Sequence, residues 1–479
     1  MPHAILTSVR NGLSLGVMKI AMVALLLLVG CGSTTSVPPA TVPATAATSV
    51  EVSGAPQQIQ HQGLVIDLGA NAFTQPTRIS LGSAEPAPVQ PPNPSFHAIG
   101  SYFQVHLGAQ ANGEMTFTLP RASENAQIEL LINGLFVPLR QQIRHPDGSL
   151  SGTLNFPSGA NFRIGLVESD QRPVPHQNWG SWNGYLFRPA AKGQISPGAF
   201  EQIVFQGQLR SSGLPDLGDH PLVVVHGLGS SIQGKTFNAL AQVLADQGAA
   251  TSILGFEYDS LDQIQSNGAY LRQALQLFGQ NARSPLQWNF VAHSMGTLVT
   301  RSAIEQPGPA GLPGPTGRAI FLCGPHLGSG VIDELQRRNL LGDLLSILTV
   351  HALMDFRNRD GQVCRVENRE AGLDDLRTDS PFLAALNASA ASRHPSTTYY
   401  TLAGRRRRSL LEQCAVIFRL QFDDGVVNIA SANFPGLGQR RSQLLEADHL
   451  TVNVPRSQSQ PEGDGDNTFP VVVEFLGEP

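Results

Sequence analysis

Three side chains that lie far apart in the sequence have the types needed for nucleophilic acyl transfer. Ser294 lies in the run AHSMG at residues 292–296, and Asp424 and His449 follow it along the chain. A serine hydroxyl becomes a useful nucleophile when a histidine accepts its proton and a carboxylate orients that histidine. We therefore predict Ser294 as the nucleophile, His449 as the general base and Asp424 as the orienting acid.

Some of these assignments have alternatives nearby. Asp423 and Asp424 share one turn after a strand-like run, and a shift of one residue would exchange them. His326 and His351 are other histidines downstream of the serine, although His351 lies in an apolar, helix-like stretch where packing is expected. His226 precedes a Gly-rich turn, which favours a structural role for it.

The same chemistry needs backbone donors for the oxyanion that forms on the carbonyl. The run HGLGS at residues 226–230 follows an apolar, strand-like run, and AHSMG lies between a strand-like run and a helix-like one. This order of strand, sharp turn and helix is that of a nucleophile elbow, in which small residues flank the serine. We predict that the backbone N–H groups of Leu228 and Met295 form the oxyanion hole.

The elements that must position these residues differ along the chain. From residue 216 to residue 479, continuous apolar strands alternate with helical patterns, which predicts an α/β domain with a mostly parallel sheet flanked by helices. Residues 59–170 carry short alternating runs between turn residues, which predicts a smaller antiparallel β-sandwich-like domain. Residues 171–215 are interpreted as a connector, and the Thr/Pro/Ala-rich residues 32–58 as an extended tether.

The N-terminus predicts export. Positive residues precede an apolar run that ends in Leu-Val-Gly before Cys31, and this run is too short to span a bilayer. Residues 1–31 therefore read as a signal peptide, and their end resembles the lipobox of bacterial lipoproteins. That resemblance implies that Cys31 is lipidated and that the protein is anchored to a membrane of the cell envelope. The alternative is an ordinary signal peptide that is cut nearby.

Cysteine content and charge add two expectations. Of the cysteines after Cys31, Cys364 and Cys414 could form a bridge, while Cys323 ends an apolar run and is expected to be a buried thiol. The net charge of −5 provides no basic surface for nucleic acid. The basic run at residues 405–408 is interpreted as a solvated loop.

The ordered motifs resemble a known family. HGLGS, AHSMG, GPHLGS at residues 324–329, DGVV at residues 424–427 and DHL at residues 448–450 are similar to those of bacterial triacylglycerol lipases and the related GPI inositol-deacylase-like esterases. The resemblance covers residues 216–479 and implies the α/β-hydrolase fold. It also implies a carboxylic ester hydrolase that forms an acyl-enzyme on Ser294, acts on lipid or acyl esters and needs neither metal nor organic cofactor. Thr297 stands where the family often has glycine.

Other functions are compatible with the same residues. A thioesterase or an amidase would use the same triad, because acyl transfer needs the same groups. A cell-surface binding protein on a hydrolase scaffold is an alternative of another class, and the presence of all three triad residue types argues against it. The apolar stretch at residues 331–356 is interpreted either as a lid or as part of the core. Protein partners cannot be read from these patterns.

Overall fold

A computed structural model describes most of the chain from residue 48 to residue 478. The described residues are 48–87, 89–109, 111, 113–120, 122–132, 134–154, 161–171, 174–192, 200–210, 216–233, 235–280, 287–306, 312, 314–351, 354–367, 369–388, 396–405, 426–438, 441–454 and 463–478. The predicted signal segment, with Cys31, lies outside them. All described residues belong to one compact unit, Ala46–Pro479.

The first part of the chain, residues 48–169, forms two antiparallel sheets and is called the β region below. One sheet has the order β1-β4-β5-β11-β7-β8 and the other the order β2-β3-β6-β10-β9. Buried and half-buried positions alternate in strands such as β3 and β6, as expected where one face is covered more completely than the other. The strands are β1 Thr48–Val52, β2 Gln57–His61, β3 Leu64–Leu68, β4 Thr77–Pro86, β5 Phe96–Leu107, β6 Met115–Leu119, β7 Ala126–Ile132, β8 Leu135–Pro138, β9 Arg140–Arg144, β10 Leu150–Leu154 and β11 Asn161–Ser169.

The prediction of an unpaired tether up to residue 58 is wrong at its C-terminal end. Strand β1 lies inside that range and pairs antiparallel with β4, from Thr48 opposite Leu81 to Val52 opposite Thr77. Val52 is 1% exposed, so the alternation of valine with polar residues is a strand signal that the Thr/Pro/Ala-rich composition concealed.

The second part of the chain forms a nine-stranded sheet with helices. Its strands are β13 Trp182–Phe187, β14 Phe200–Phe205, β15 Gln208–Leu209, β16 Leu222–Val225, β17 Ile253–Tyr258, β18 Trp288–His293, β19 Thr316–Leu322, β21 Thr398–Gly404 and β22 Arg441–Leu445. Two short strands, β12 Val174–Pro175 and β20 Cys364–Arg365, pair with each other. The helices are α1 Lys235–Asp246, α2 Ile264–Gly279, α3 Met295–Glu305, α4 Gly330–Arg337, α5 Leu341–Val350, α6 Ala371–Asp375, α7 Pro381–Ala388, α8 Ile429–Ala432 and α9 Gly465–Gly477, with a 3₁₀ turn at Pro435–Leu437.

The order of the nine-stranded sheet is β15-β14-β13-β17-β16-β18-β19-β21-β22. Adjacent strands from β17 to β22 run parallel, whereas β13, β14 and β15 add antiparallel pairs at one side. Most strand pairings of the described chain as a whole are antiparallel, because the β region contributes only such pairs. Parallel pairing is concentrated in the part of the chain that carries the predicted catalytic residues.

The apolar runs of the parallel strands divide between two hydrophobic clusters. Val223 and Val225 of β16 pack in the cluster that contains α2 and α3, whereas Leu222 and Val224 pack in the cluster that contains α1 and α9. Successive side chains of a strand point to opposite faces, so both faces of this sheet are covered by helices. This coverage explains why β16 has no polar residue.

The predicted connector at residues 171–215 is also wrong in part. Strands β13, β14 and β15 lie within it and belong to the nine-stranded sheet, with Trp182 opposite Tyr258 and Leu186 opposite Leu254. Gly184 interrupts the apolar pattern of β13. It is needed there because a Cβ at this position would lie 2.7 Å from Cζ of Phe278.

The apolar stretch at residues 331–356 forms two helices with different environments. Ile332 of α4 lines the cavity at Ser294. Helix α5 packs on β8 of the β region instead, and its Val350 belongs to the same hydrophobic cluster as Phe136. The stretch therefore contributes Ile332 and Met354 to the lining of the cavity and also forms part of the core. Within the described ranges, no helix is both long enough and apolar enough to cross a membrane.

Candidate active site

Ser294 occupies a strained turn between β18 and α3. Its φ is 52° and its ψ −126°, a left-handed backbone that serine rarely adopts. The backbone N–H of Ser294 donates to the carbonyl of Leu322 over 2.8 Å, which fixes the turn to the next strand. The turn needs glycine at position 296, because a Cβ there would lie 2.3 Å from the carbonyl oxygen of His226.

His449 reaches Ser294 from the loop that follows β22. Its Nε2 lies 2.9 Å from Oγ of Ser294, within hydrogen-bond distance, and the two residues are 3% and 8% exposed. The two residues come together because β18 and β22 belong to one parallel run, whose carboxyl ends share an edge. An imidazole nitrogen at this distance can accept the hydroxyl proton.

The loop that carries His449 is held by Asp464, which the sequence patterns did not single out. A carboxylate oxygen of Asp464 accepts hydrogen bonds from the backbone N–H of Asp448 and from the hydroxyl of Thr451, each over 2.8 Å. Asp448 in turn accepts from the backbone N–H of Leu450. These bonds define the backbone on both sides of His449.

His293 is a second residue whose role the motif did not reveal. Its Nε2–H donates to the backbone carbonyl of His449 over 2.9 Å. Burial, and to a smaller extent the neighbouring His449, lower the pKa of His293 to about 3. His293 is therefore a neutral donor at ordinary pH and connects the nucleophile turn to the histidine loop.

The predicted oxyanion donors flank the serine. Leu228 lines the cavity that contains Ser294 and His449, and Met295 follows Ser294 as the first residue of α3. No described residue accepts a hydrogen bond from the backbone N–H of Leu228 or Met295. Both groups are thus available to a ligand oxygen.

Residues 226–230, called the oxyanion loop below, are held by neighbours that the sequence patterns missed. The backbone N–H of Gly229 donates to Oγ of Ser260 over 3.0 Å, and its carbonyl accepts from the backbone N–H of Asp355 over 2.8 Å. The hydroxyl of Tyr258 donates to the carbonyl of His226 over 2.7 Å. Only packing in three dimensions joins these residues, because their spacing in the sequence follows no motif.

Among the described residues, none of three other histidines forms a hydrogen bond with Ser294. His226 is stacked on Tyr258 with ring centroids 4.3 Å apart, and burial lowers its pKa to about 4, which agrees with a structural role. His326 is fully buried, and neither of its ring nitrogens has a hydrogen-bond partner among the described residues. His351 accepts a hydrogen bond from the backbone N–H of Phe136 in the β region.

The predicted acid, Asp424, and its alternative, Asp423, lie outside the described residues, as does Cys414. Cys364 is a buried free thiol, so the bridge to Cys414 that its position allowed is not formed. Cys323 is a buried thiol, as predicted. Among the described side chains, no group of three or more His, Cys, Asp or Glu residues could hold a metal ion.

The cavity at the serine is small and mostly apolar. Its volume is about 40 Å³. Ligand sites in proteins typically enclose roughly 300–1,000 Å³, so the cavity must widen before a substrate can enter. It is lined by Leu228, His293, Ser294, Pro325, Ser329, Ile332, Met354, Leu376, Val426, Val427, His449 and Leu450.

Comparison with known families gives one match for this part of the chain. Residues 206–430, just under half of the chain, match a family described as a domain of unknown function, DUF7379. Among curated proteins, none matches the chain by sequence.

Several solved structures are similar to this chain. The lipase BlEst2 of Bacillus licheniformis in its mature form is 21% identical, with a TM-score of 0.38, over 63% of this chain and 99% of that one. The phospholipase PlaB of Legionella pneumophila is 16% identical, with a TM-score of 0.41, over 54% of this chain and 60% of that one. The metagenomic carboxyl esterase MGS0156 is 19% identical, with a TM-score of 0.37, over 56% and 79%.

Proposed function

We propose that this protein is a serine hydrolase of carboxylic esters with the α/β-hydrolase fold. The observation that carries the proposal is the 2.9 Å approach of His449 Nε2 to Ser294 Oγ. Its support is the strained turn at Ser294, which matches the strand, turn and helix of a nucleophile elbow. Asp424 completes the proposed triad as the carboxylate that orients His449.

The proposed reaction has two acyl-transfer steps. Ser294 Oγ attacks the ester carbonyl carbon while His449 accepts the hydroxyl proton, and the carbonyl oxygen becomes an oxyanion bound by the N–H groups of Leu228 and Met295. His449 then donates the proton to the leaving alcohol as the ester bond breaks, which leaves an acyl-enzyme. Water, deprotonated by His449, attacks the acyl-enzyme, and the bond to Ser294 Oγ breaks as His449 returns the proton to this oxygen, which releases the carboxylic acid.

The lining of the cavity favours an apolar acyl group. Ile332, Met354 and Leu376 face the serine together with Val426 and Leu450. Apolar side chains of this kind stabilise a hydrocarbon chain by removing its surface from water. The proposed substrates are therefore lipid or acyl esters, and α4 with its Ile332 is the element that moves to admit them.

We also propose a location in the cell envelope, on the basis of the N-terminal segment. Lipidation of Cys31 would anchor the exported enzyme to a membrane, where esters of lipids are concentrated. Mass spectrometry of the mature N-terminus tests this part. A lipid on Cys31 is expected, whereas an unmodified residue downstream of Cys31 at the N-terminus would contradict it.

A fluorophosphonate probe tests the central claim. It reacts with activated serines, so we expect it to label the protein and the Ser442→Ala control but not Ser294→Ala. Ser442 is an exposed serine on β22 and therefore a matched change away from the cavity. A series of p-nitrophenyl esters of increasing chain length then measures kcat/KM. Labelling of Ser294→Ala at the wild-type rate would refute the proposed nucleophile.

A further inference from the structure

We infer that the β region positions the oxyanion loop through helix α5 and the residues that follow it, with Asn93 and His351 as positioning residues. The inference rests on the proposed function, because it concerns the position of the backbone N–H of Leu228, a donor of the proposed oxyanion hole. It assigns a role in the reaction to the β region, none of whose described residues lines the cavity at Ser294.

The first step of the connection is at the C-terminal end of α5. The side-chain amide of Asn93 donates to the carbonyl of Thr349 over 2.8 Å, and its backbone N–H donates to the carbonyl of Val350 over 3.0 Å. The last carbonyls of a helix have no donor within the helix. Asn93 therefore supplies two of the donors that this helix end requires.

His351, directly after α5, makes a third polar contact with the β region. Its Nε2 accepts a hydrogen bond from the backbone N–H of Phe136 over 3.1 Å. The two rings lie 6.2 Å apart, and Val350 packs in the same hydrophobic cluster as Phe136 and Tyr102. The end of α5 is thus held by hydrogen bonds and by buried apolar surface at the same place.

An ion pair holds the N-terminal end of α5. Arg140 of β9 donates to the carboxylate of Asp343 in the first turn of α5, and the two side chains are 13% and 16% exposed. Burial raises the pKa of Asp343 to about 6, although Arg140 opposes this effect. Contacts at both ends fix the position of the helix along its axis.

The second step leads from α5 to the oxyanion loop. The backbone N–H of Met354 donates to the carbonyl of Leu348 over 3.2 Å, which ties residue 354 to the helix. The backbone N–H of Asp355 then donates to the carbonyl of Gly229 over 2.8 Å. Gly229 has φ +59°, and a Cβ there would lie 2.6 Å from Cζ of Phe356. The loop therefore fits closely against residues 354–356.

These contacts connect the β region to the oxyanion loop. Asn93 and Phe136 hold residues 349–351, and the bond from Met354 to Leu348 ties residues 354–356 to the same helix. Asp355 then holds Gly229, which lies next to Leu228 in the chain. Loss of the Asn93 contact would let residues 354–356 shift and would move the N–H of Leu228 away from the oxyanion. Donors of an oxyanion hole act only when they are held in place before the reaction.

The substitution Asn93→Asp tests the inference. It keeps the shape of the side chain but replaces the donor to Thr349 with a carboxylate beside the carbonyl end of a helix, where negative charge is unfavourable. The control is Asn161→Asp on β11, because Asn161 is exposed and uses its side-chain oxygen towards His106. Turnover of a p-nitrophenyl ester is measured per active site, counted by end-point labelling with a fluorophosphonate.

We expect Asn93→Asp to lower kcat per labelled site about 10-fold with KM within about twofold of wild type, a fraction of the roughly 10²–10³-fold that loss of an oxyanion donor costs. Asn161→Asp should match wild type. A kcat per labelled site within twofold of the control would overturn the inference, and so would a loss of labelled sites alone, since that indicates a purely structural role. Ser294→Ala in the same assay reports separately on the proposed function.

Two variants of His351 provide an independent test. Glutamine retains an acceptor for the N–H of Phe136, whereas phenylalanine retains only the ring packing. We expect His351→Phe to lower kcat per labelled site about 5-fold to 10-fold and His351→Gln to recover most of that loss. Equal kcat values for the two variants would show that the hydrogen bond does not position the loop.

Discussion

The side chain of His293 holds the backbone of His449, the residue that contacts Ser294. The Nε2–H of His293 donates to the carbonyl oxygen of His449 over 2.9 Å, so the residue before Ser294 holds the backbone of the histidine that contacts Ser294. The carboxyl end of one strand, β18, therefore positions both members of the Ser294–His449 pair.

Substitution of His293 should impair turnover without abolishing it. His293→Phe removes a buried hydrogen bond, a contribution of about 1 kcal/mol, so we expect kcat to fall about 5-fold to 10-fold. His293→Gln retains a donor and should recover part of the loss. Steady-state kinetics on a p-nitrophenyl ester measure both variants. If they lose activity equally, packing rather than the hydrogen bond determines the role of His293.

The choice between Asp424 and Asp423 can be made by two amide substitutions. Loss of the carboxylate that orients the base lowers kcat by about 10⁴-fold in triad enzymes, so we expect a loss of that order in Asp424→Asn. Asp423→Asn should keep kcat within about 10-fold of wild type and serves as the matched control. The opposite ranking of the two variants would transfer the role to Asp423.

Gly296 should tolerate no larger residue. In Gly296→Ala, the new Cβ would lie 2.3 Å from the carbonyl oxygen of His226 and 2.6 Å from that of Val225, and both groups belong to the backbone. Overpacking of this kind destabilises a fold by about 1–3 kcal/mol. Gly330→Ala, with open space at its Cβ, is the control and should unfold at the wild-type urea concentration. An unchanged midpoint for Gly296→Ala would show that the turn can relax.

His176 should make the stability of the fold depend on pH. Its Nε2 lies 2.8 Å from Asp259 and its Nδ1 3.1 Å from Glu370, with only 9% of the histidine side chain exposed. Burial alone would lower the pKa of His176, but the two carboxylates outweigh it and raise the pKa to about 9. The imidazolium thus joins β12, the end of β17 and the residue before α6.

The direction of the pH effect follows from the pKa values of His176 in the folded and the unfolded protein. The folded pKa lies above the unfolded value of 6.5, so the contribution is full below about pH 6.5 and is lost as the pH rises through 9. Its size is about 2 kcal/mol after an allowance for solvent screening. Urea unfolding at pH 6 and at pH 9.5 should therefore separate wild type from His176→Gln at the lower pH only. His97→Gln, which changes a half-exposed His–Asp pair, is the control. An equal difference at both pH values would contradict the assignment.

Sequence patterns predicted an element correctly where a single physical cause determines the pattern. The apolar run at residues 221–226 predicted β16, because a strand covered by helices on both faces has no polar side. The turn around Ser294 was predictable because small residues must flank it. Strand β13 was missed because Gly184 breaks its pattern for a packing reason at Phe278, which the sequence does not display. Ser260, Asp355 and Asp464 were missed because they act through hydrogen bonds to loops far away in the chain, and no spacing rule encodes such contacts.

The pairing of β13 with β17 limits where the chain can be shortened. A fragment that begins at residue 216, where the predicted α/β domain starts, would lack β13, β14 and β15 and would leave the backbone groups of β17 from Leu254 to Tyr258 without their neighbour. An uncovered, apolar sheet edge recruits other strands and favours self-association. We therefore expect a fragment that begins at residue 216 to aggregate, and a soluble fragment to require a start ahead of Trp182.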